Sequence, residues 1–517
     1  MKKSTPSAEL LSRRSVVRSM AVGGAALAMG SSGIAPALAQ SGNPITAMTA
    51  LELSASIRNR SVSCLEVMQA YLAQADRINT VFNALVSRAD KDDLLGQARQ
   101  ADKLLARGEY RGWMHGFPHA VKDLADAKGF VTSNGSPLYR DQVAAQDAII
   151  VERMKAAGAI ITAKTNVPEF GLGSQSYNPV FGATLNAWDG FSTAGGSSGG
   201  AAAALALQMV PVADGSDLMG SLRNPAGYNN VIGFRPTPGR VPMLNLFVEE
   251  LPCQGPMGRT VSDTAMLLST LAGYDARCPN SIPEDPKQFA QPLARDWNGL
   301  RIGWLGDFDG YLPMEKGVIS VCEKALDGFR AVGAEVEAAT LDFSMAELWQ
   351  TWLTFRHWYV RFLRARDYAD PARRQRLKPE VIWEVEGGLD LSGQDVFMAS
   401  MARARFYAAV RTAFEHYDFL VLPTAQVFPF DASTHWPKRI GDREMDTYHR
   451  WMEVVVPGTL SGCPVAAVPA GFGANGLPMG LQIIGPRYQD FATLQIAYAY
   501  EQATRWNLDR RPPAIAG

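Results

Sequence analysis

The sequence predicts a mixed α/β protein, built as one large domain behind a short leader. Strand-like and helical segments alternate from residue 115 onward, a pattern of helices packed on a sheet with function carried by loops. No internal repeat, low-complexity stretch or linker divides the chain after residue 40. The composition is globular: 517 residues, 47% hydrophobic and 20% charged, long enough for a sizeable core.

The leader comes first. Lys2 and Lys3 open a basic region that reaches Ser12-Arg13-Arg14-Ser15-Val16-Val17, a twin-arginine pattern. A Gly/Ala-rich stretch follows and ends in Ala37-Leu38-Ala39, a cleavage pattern that places the mature start at Gln40. Gly23, Gly24, Gly30, Gly33 and Pro36 interrupt that stretch, which argues against a stable membrane anchor. The expectation is a leader over 1–39, a domain over 40–517, and export to the periplasm or beyond.

Within the domain, apolar residues at spacings of three and four predict helices over 50–57 and 64–78. A helix ending at Gly158, which serves as its stop, is followed by a short buried strand over 159–163. An Ala/Leu helix over 201–207 starts directly from a Gly/Ser loop, and 299–305 and 419–423 read as further strands.

Fifty Lys plus Arg nearly balance 51 Asp plus Glu, for a net charge of −1. Such neutrality gives no electrostatic footprint for nucleic acid or an anionic membrane; a small-molecule partner is expected. Five cysteines show no C-x-x-C spacing, and six dispersed histidines show no H-E-x-x-H. The thiols read as small buried apolar groups, and no metal or cofactor is implied.

Three local patterns carry chemistry. They are Gly116-Phe117-Pro118-His119-Ala120-Val121-Lys122-Asp123, then Gly195-Gly196-Ser197-Ser198-Gly199-Gly200, then Asp217-Leu218-Met219-Gly220-Ser221-Leu222-Arg223. The Gly/Ser loop alone fits several templates. It matches G-x-S-x-G centred on Ser197 or Ser198, but a nucleophile elbow needs a strand just before it, and 187–193 is turn-like. It could cradle phosphate, yet lacks the Lys-Ser/Thr of a Walker motif. A plain flexible turn is the third reading.

Taken together, the patterns resemble the amidase signature family, serine hydrolases with a Ser–cis-Ser–Lys triad. The resemblance runs from about Thr49 to Trp506 and includes 163–171, 233–241, 255–263 and 476–485. It implies the amidase signature fold, a central mixed β-sheet flanked by helices. It also implies that Ser221 is the nucleophile, Ser197 the bridging residue after a cis peptide bond, and Lys122 the base. A buried Lys with neutral neighbours has the lowered pKa that such a base needs. Backbone amides of Leu218, Met219, Gly220 and Ser221 would line the oxyanion hole. Ser198 is expected to support the loop by hydrogen bonding, with Asp217 and Arg223 as a polar surround to the nucleophile and Asp123 in a similar place beside Lys122.

Met219 departs from the family, which carries Gly there. A Cβ disfavours φ > 0 at that position, and the side chain is expected to narrow an apolar acyl pocket. In 348–363, Trp349, Trp352, Phe355, Trp358, Tyr359 and Phe362 fall at helical spacings. They read either as core packing or as an aromatic wall of the substrate pocket, with Trp352 and Trp358 the residues to test. His435-Trp436 is a weaker candidate.

The resemblance implies amide hydrolysis, a carboxamide giving a carboxylate and ammonia or an amine through an acyl-serine. Aryl-acylamide, carbamate or ester hydrolysis by the same triad remains open. The glutaminase subunit of tRNA-dependent amidotransferases belongs to the same family, and the leader argues against it. A non-catalytic periplasmic binding protein is the alternative of another class, disfavoured by retention of all three triad residues. The sequence leaves the oligomeric state open, a homodimer included.

Overall fold

Two capping boxes start the first two long helices among the described residues. In the computed structural model, which describes residues 43–244 and 250–516, the Thr49 hydroxyl accepts from the Glu52 amide while the Glu52 carboxylate accepts from the Thr49 amide, opening α1 (Ala50–Arg58). Ser63 and Glu66 do the same for α2 (Cys64–Phe82); each box satisfies two otherwise unpaired amides. The leader, residues 1–39, lies outside the described residues.

A small three-stranded sheet comes next. β1 (Leu85–Val86) and β2 (Pro118–Lys122) flank β3 (Ile160–Thr165), β1 antiparallel and β2 parallel to it. α3 (Ile149–Ala156) feeds β3, and Gly158 takes φ 105° between them, the left-handed stop that the sequence predicts.

Among the described residues the central sheet has eight strands. They are β4 (Val212–Asp217), β5 (Ile232–Arg235), β6 (Cys253–Gly258), β7 (Arg301–Trp304), β8 (Glu335–Ala338), β9 (Phe419–Pro423), β10 (Val465–Phe472) and β11 (Pro478–Ile484). Their order across the sheet is β8-β7-β9-β11-β10-β5-β6-β4. β7 runs parallel to β8 and β9; the other pairs are antiparallel. β9 and β11 are buried throughout, as expected where both faces are covered. The sheet is mixed and flanked by helices, as the resemblance implies.

Between the small sheet and the large one runs α4 (Gly199–Ala206), buried at every residue. Its alanines join Ala120 of β2, Ala163 of β3 and Ala213 of β4 in one small-residue core, which brings the helix backbone close to both sheets. α4 begins two residues earlier than its Ala/Leu run predicts, because the glycine pair lets it. A Cβ on Gly200 would stand 2.4 Å from the Asn166 nitrogen, so only glycine fits.

α5 (Arg223–Asn229) follows the turn after β4. A helical layer of α6 (Met345–Ala369), α7 (Pro379–Gly387) and α8 (Gly393–Ala413) covers the cleft side. Among the described residues no helix is long and apolar enough to cross a membrane.

Candidate active site

β2 ends at Lys122, and β4 runs beside it carrying Asp214 and Ser216. Alternate residues of a strand share a face, so both point at Lys122. The Lys122 amide donates to Asp214 Oδ2 at 3.2 Å, and Asp214 Oδ1 pairs with His119 Nε2 at 2.9 Å. These contacts fix the end of β2 against β4.

The Lys122 side chain is 1% exposed. Its Nζ lies within hydrogen-bond distance of Ser198 Oγ at 2.7 Å, Ser197 Oγ at 2.8 Å, Ser216 Oγ at 3.0 Å and the Ser216 carbonyl at 3.1 Å. No carboxylate is among these partners. Burial draws its pKa down to about 7, against the more distant pull of Asp217 and Asp214. The peptide bond between Gly196 and Ser197 is cis.

Ser221 lies on the turn between β4 and α5 and lines the same cleft as Lys122 and Ser197. Its carbonyl accepts the Ser198 amide at 3.3 Å, which ties the two serine-bearing loops together. Asp217 shapes this turn. Its carboxylate accepts the amides of Gly220 at 2.8 Å and Leu222 at 3.0 Å. It also takes a two-pronged contact from Arg223, Nε at 3.0 Å and Nη2 at 2.9 Å. Burial alone would raise the Asp217 carboxyl; Arg223 and Arg235 outweigh it and hold the group well below the usual carboxylate range. Arg223 reaches on to the Val455 carbonyl, Gln482 and Thr459, so the turn is clamped to the central sheet.

Of the four amides expected to line an oxyanion hole, that of Gly220 is engaged by Asp217. Leu218, Met219 and Ser221 are the donors that Asp217 leaves. Gly220 carries the left-handed conformation of the turn, φ 80°, and a Cβ there would come within 2.9 Å of Val455. Met219 therefore needs no positive φ. Its side chain is buried in the main apolar core and does not line the cleft, contrary to the expected narrowing of an acyl pocket.

Above the serines opens a cleft of about 250 Å³. Phe170, Gly171 and Leu172 form one wall, and α6 forms another through Arg356, Tyr359, Val360, Leu363 and Arg364. Trp352 and Trp358 do not line it. Trp352 is fully buried in the core, one turn before the face that meets the cleft, and Trp358 packs against Phe362. The aromatic helix does border the site, on the face of Tyr359. His435 and Trp436 also lie off the cleft, against Tyr177 and Lys438.

Two polar residues differ from expectation. Asp123 turns away from Lys122, accepts from the Ser133 hydroxyl at 2.5 Å and the Ser133 amide at 3.2 Å, and so holds the loop whose Asn134 lines the cleft. Asp214 takes the place beside Lys122. Ser198 does more than support its loop, since it touches the Lys122 amine directly. Sequence reasoning missed Ser216 and Asp214; their alternation on a strand ending at Asp217 was the available signal.

Known proteins share this chain's sequence and fold. The family model described as Amidase matches residues 66–494. A glutamyl-tRNA(Gln) amidotransferase component from Ralstonia nicotianae is 34% identical, over 91% of this chain and all of that protein. An acylamidase of Rhodococcus erythropolis is 31% identical, over 90% of this chain and 97% of its own length. Among solved structures, a bacterial aryl acylamidase of the amidase signature family superposes with a TM-score of 0.83 at 27% identity, covering 92% of this chain and 99% of that one. From its sequence match and its fold alike, this chain belongs to the amidase signature family of enzymes that hydrolyse carbon–nitrogen bonds.

Proposed function

We propose that the protein is a stand-alone amidase that cleaves a small carboxamide to a carboxylate and ammonia or an amine, through an acyl intermediate on Ser221. The observation that carries this reading is the buried Lys122 amine, 2.8 Å from Ser197 Oγ, in the cleft that Ser221 lines. A lysine whose pKa is drawn to about 7 is neutral in much of its population near neutral pH and can accept a proton. Ser221 Oγ attacks the carbonyl carbon, and its proton passes through Ser197 to Lys122. The tetrahedral oxyanion is met by the amides that Asp217 leaves. Lys122 then returns the proton through Ser197 to the leaving nitrogen as the C–N bond breaks. Water repeats the sequence on the acyl-enzyme.

The family also contains amidotransferase components, and the relatives above include one. The twin-arginine pattern at Arg13-Arg14 and the Ala37-Leu38-Ala39 cleavage pattern support an exported enzyme acting on its own, with 40–517 as its mature domain. Export of the wild-type precursor but not of an Arg13→Lys/Arg14→Lys precursor, read by cell fractionation, tests that part.

The chemistry is tested with short aliphatic amides, aryl amides, anilides, dipeptide amides and matched esters, offered to the mature protein and to Ser221→Ala. Turnover of an amide that the variant loses is the expected result. Turnover that survives Ser221→Ala overturns the reading, and faster cleavage of matched esters throughout replaces amidase with esterase.

A further inference from the structure

The α6 wall holds two arginines on one stripe. Arg356, Tyr359, Val360, Leu363 and Arg364 stand at helical spacings of three and four and all line the cleft. At the inner end Arg356, 5% exposed, donates from Nε to Glu384 Oε1 at 2.9 Å and from Nη2 to the Tyr448 hydroxyl at 3.0 Å. The Tyr448 hydroxyl in turn donates to the same Glu384 oxygen at 2.6 Å. At the outer end Arg364 pairs with Asp367 at 3.2 Å and lies 4.3 Å over the Phe170 ring.

Glu384 and Asp367 do not line the cleft, whereas both arginines do. Each arginine therefore stands between its carboxylate and the substrate space. Two carboxylates do line the cleft, Asp214 and Asp217, and both are engaged: Asp214 by His119 and the Lys122 amide, Asp217 by Arg223 and two amides. Between the two arginines the helix presents Tyr359, Val360 and Leu363 to the cleft, and Phe170 and Leu172 also line it.

We propose that the cleft selects amides whose apolar or aromatic body carries a carboxylate remote from the scissile bond, with Arg356 and Arg364 as the specificity-determining residues. Guanidinium groups held in a partly dry cleft recognise carboxylate strongly and geometrically. The apolar stretch between them suits the body of such a substrate. The inference rests on the amidase reading of the same site.

Binding separates the two. Calorimetry on Ser221→Ala protein compares 4-carbamoylbenzoate with 4-methylbenzamide, and 4-acetamidobenzoate with 4-methylacetanilide. These pairs put the carboxylate on the acyl side and on the amine side in turn. The carboxylate member of at least one pair is expected to bind about tenfold tighter or more. That preference should largely vanish on adding Arg364→Gln, and also on adding Arg356→Met together with Glu384→Gln. The double change removes both charges at once, so no buried carboxylate is stranded. Equal or absent binding in both pairs, or a preference that survives both variants, overturns the inference. Carboxylate-selective binding that needs the arginines supports it even if protein with Ser221 intact cleaves neither amide, an outcome that would count against the amidase reading alone.

Discussion

Lys122 and Ser216 meet at the base of the cleft, where the amine donates to both the hydroxyl and the carbonyl of the serine, at 3.0 and 3.1 Å. The carbonyl contact decides how the amine is oriented. A carbonyl only accepts, so it takes one N–H whether the amine is charged or neutral. When Lys122 loses its third proton, the lone pair is left for a hydroxyl that can donate. The hydroxyls of Ser197, Ser198 and Ser216 are all within reach. Ser216 thus helps aim the base at the serine loop.

The pH dependence of turnover follows. In the proposed mechanism the neutral amine takes the proton, so kcat/KM should rise as pH climbs through about 7, the value to which burial draws Lys122, and level off above it. Lys122→Ala should lower kcat/KM by about a thousandfold or more. A wild-type profile that stays flat from well below 7 to well above it contradicts the assignment of the base.

Asp217 acts through the turn it holds. Asp217→Asn strips the charge that Arg223 and Arg235 share in a fully buried setting. Breaking such a pair costs about 3–5 kcal/mol, so the urea midpoint should fall sharply, with loss of activity because one of the Gly220 and Leu222 amides loses its acceptor. A midpoint unchanged within error contradicts the role.

Met219 and Trp352 are core residues here, and their truncation should behave accordingly. Trp352→Ala is expected to cost about 3–5 kcal/mol and Met219→Gly about 2–5 kcal/mol, with the order of preferred substrates retained. Tyr359→Ala, on the cleft face of α6, should reorder that preference. Broadened acyl specificity in Met219→Gly at unchanged stability would reverse this view.

Glu501 gives a stability signature separate from catalysis. Burial raises its carboxyl from 4.5 to about 7, partly opposed by bonds from Asn507 and the Val261 amide. The folded state then binds more protons than the unfolded one between those values, so stability falls as pH rises through that window. The difference in urea midpoint between wild type and Glu501→Gln should shift against the wild type from pH 4.5 to 7. A difference that does not change with pH contradicts it.

Much of the site was legible because its motifs are local. The Gly/Ser loop, Lys122 at a strand end and Ser221 after Asp217 each carry their geometry within a few residues, and the structure brings all three to one cleft. The same holds for the helices at 50–57 and 64–78, whose capping boxes sit in the sequence. What was not legible depends on rotation and on distant partners. Hydrophobic periodicity places Trp352 and Tyr359 on one amphipathic helix, but which face meets the cleft is set by packing against α7 and α8. Asp123 adjoins Lys122 in sequence, yet successive residues at a strand end point opposite ways, so it serves the 133–135 loop while Asp214, from another strand, stands beside the lysine. The Arg356–Glu384–Tyr448 cluster joins three segments that no local pattern connects.

In the proposed mechanism Ser221 is the nucleophile and Lys122 its base. Peptide mapping by mass spectrometry after treatment with a fluorophosphonate checks both assignments. One adduct is expected, on Ser221, forming more slowly below pH 7 and not formed at a measurable rate in Lys122→Ala. An adduct on Ser197 or Ser198 with Ser221 unmodified, or labelling of Lys122→Ala at the wild-type rate, would contradict them.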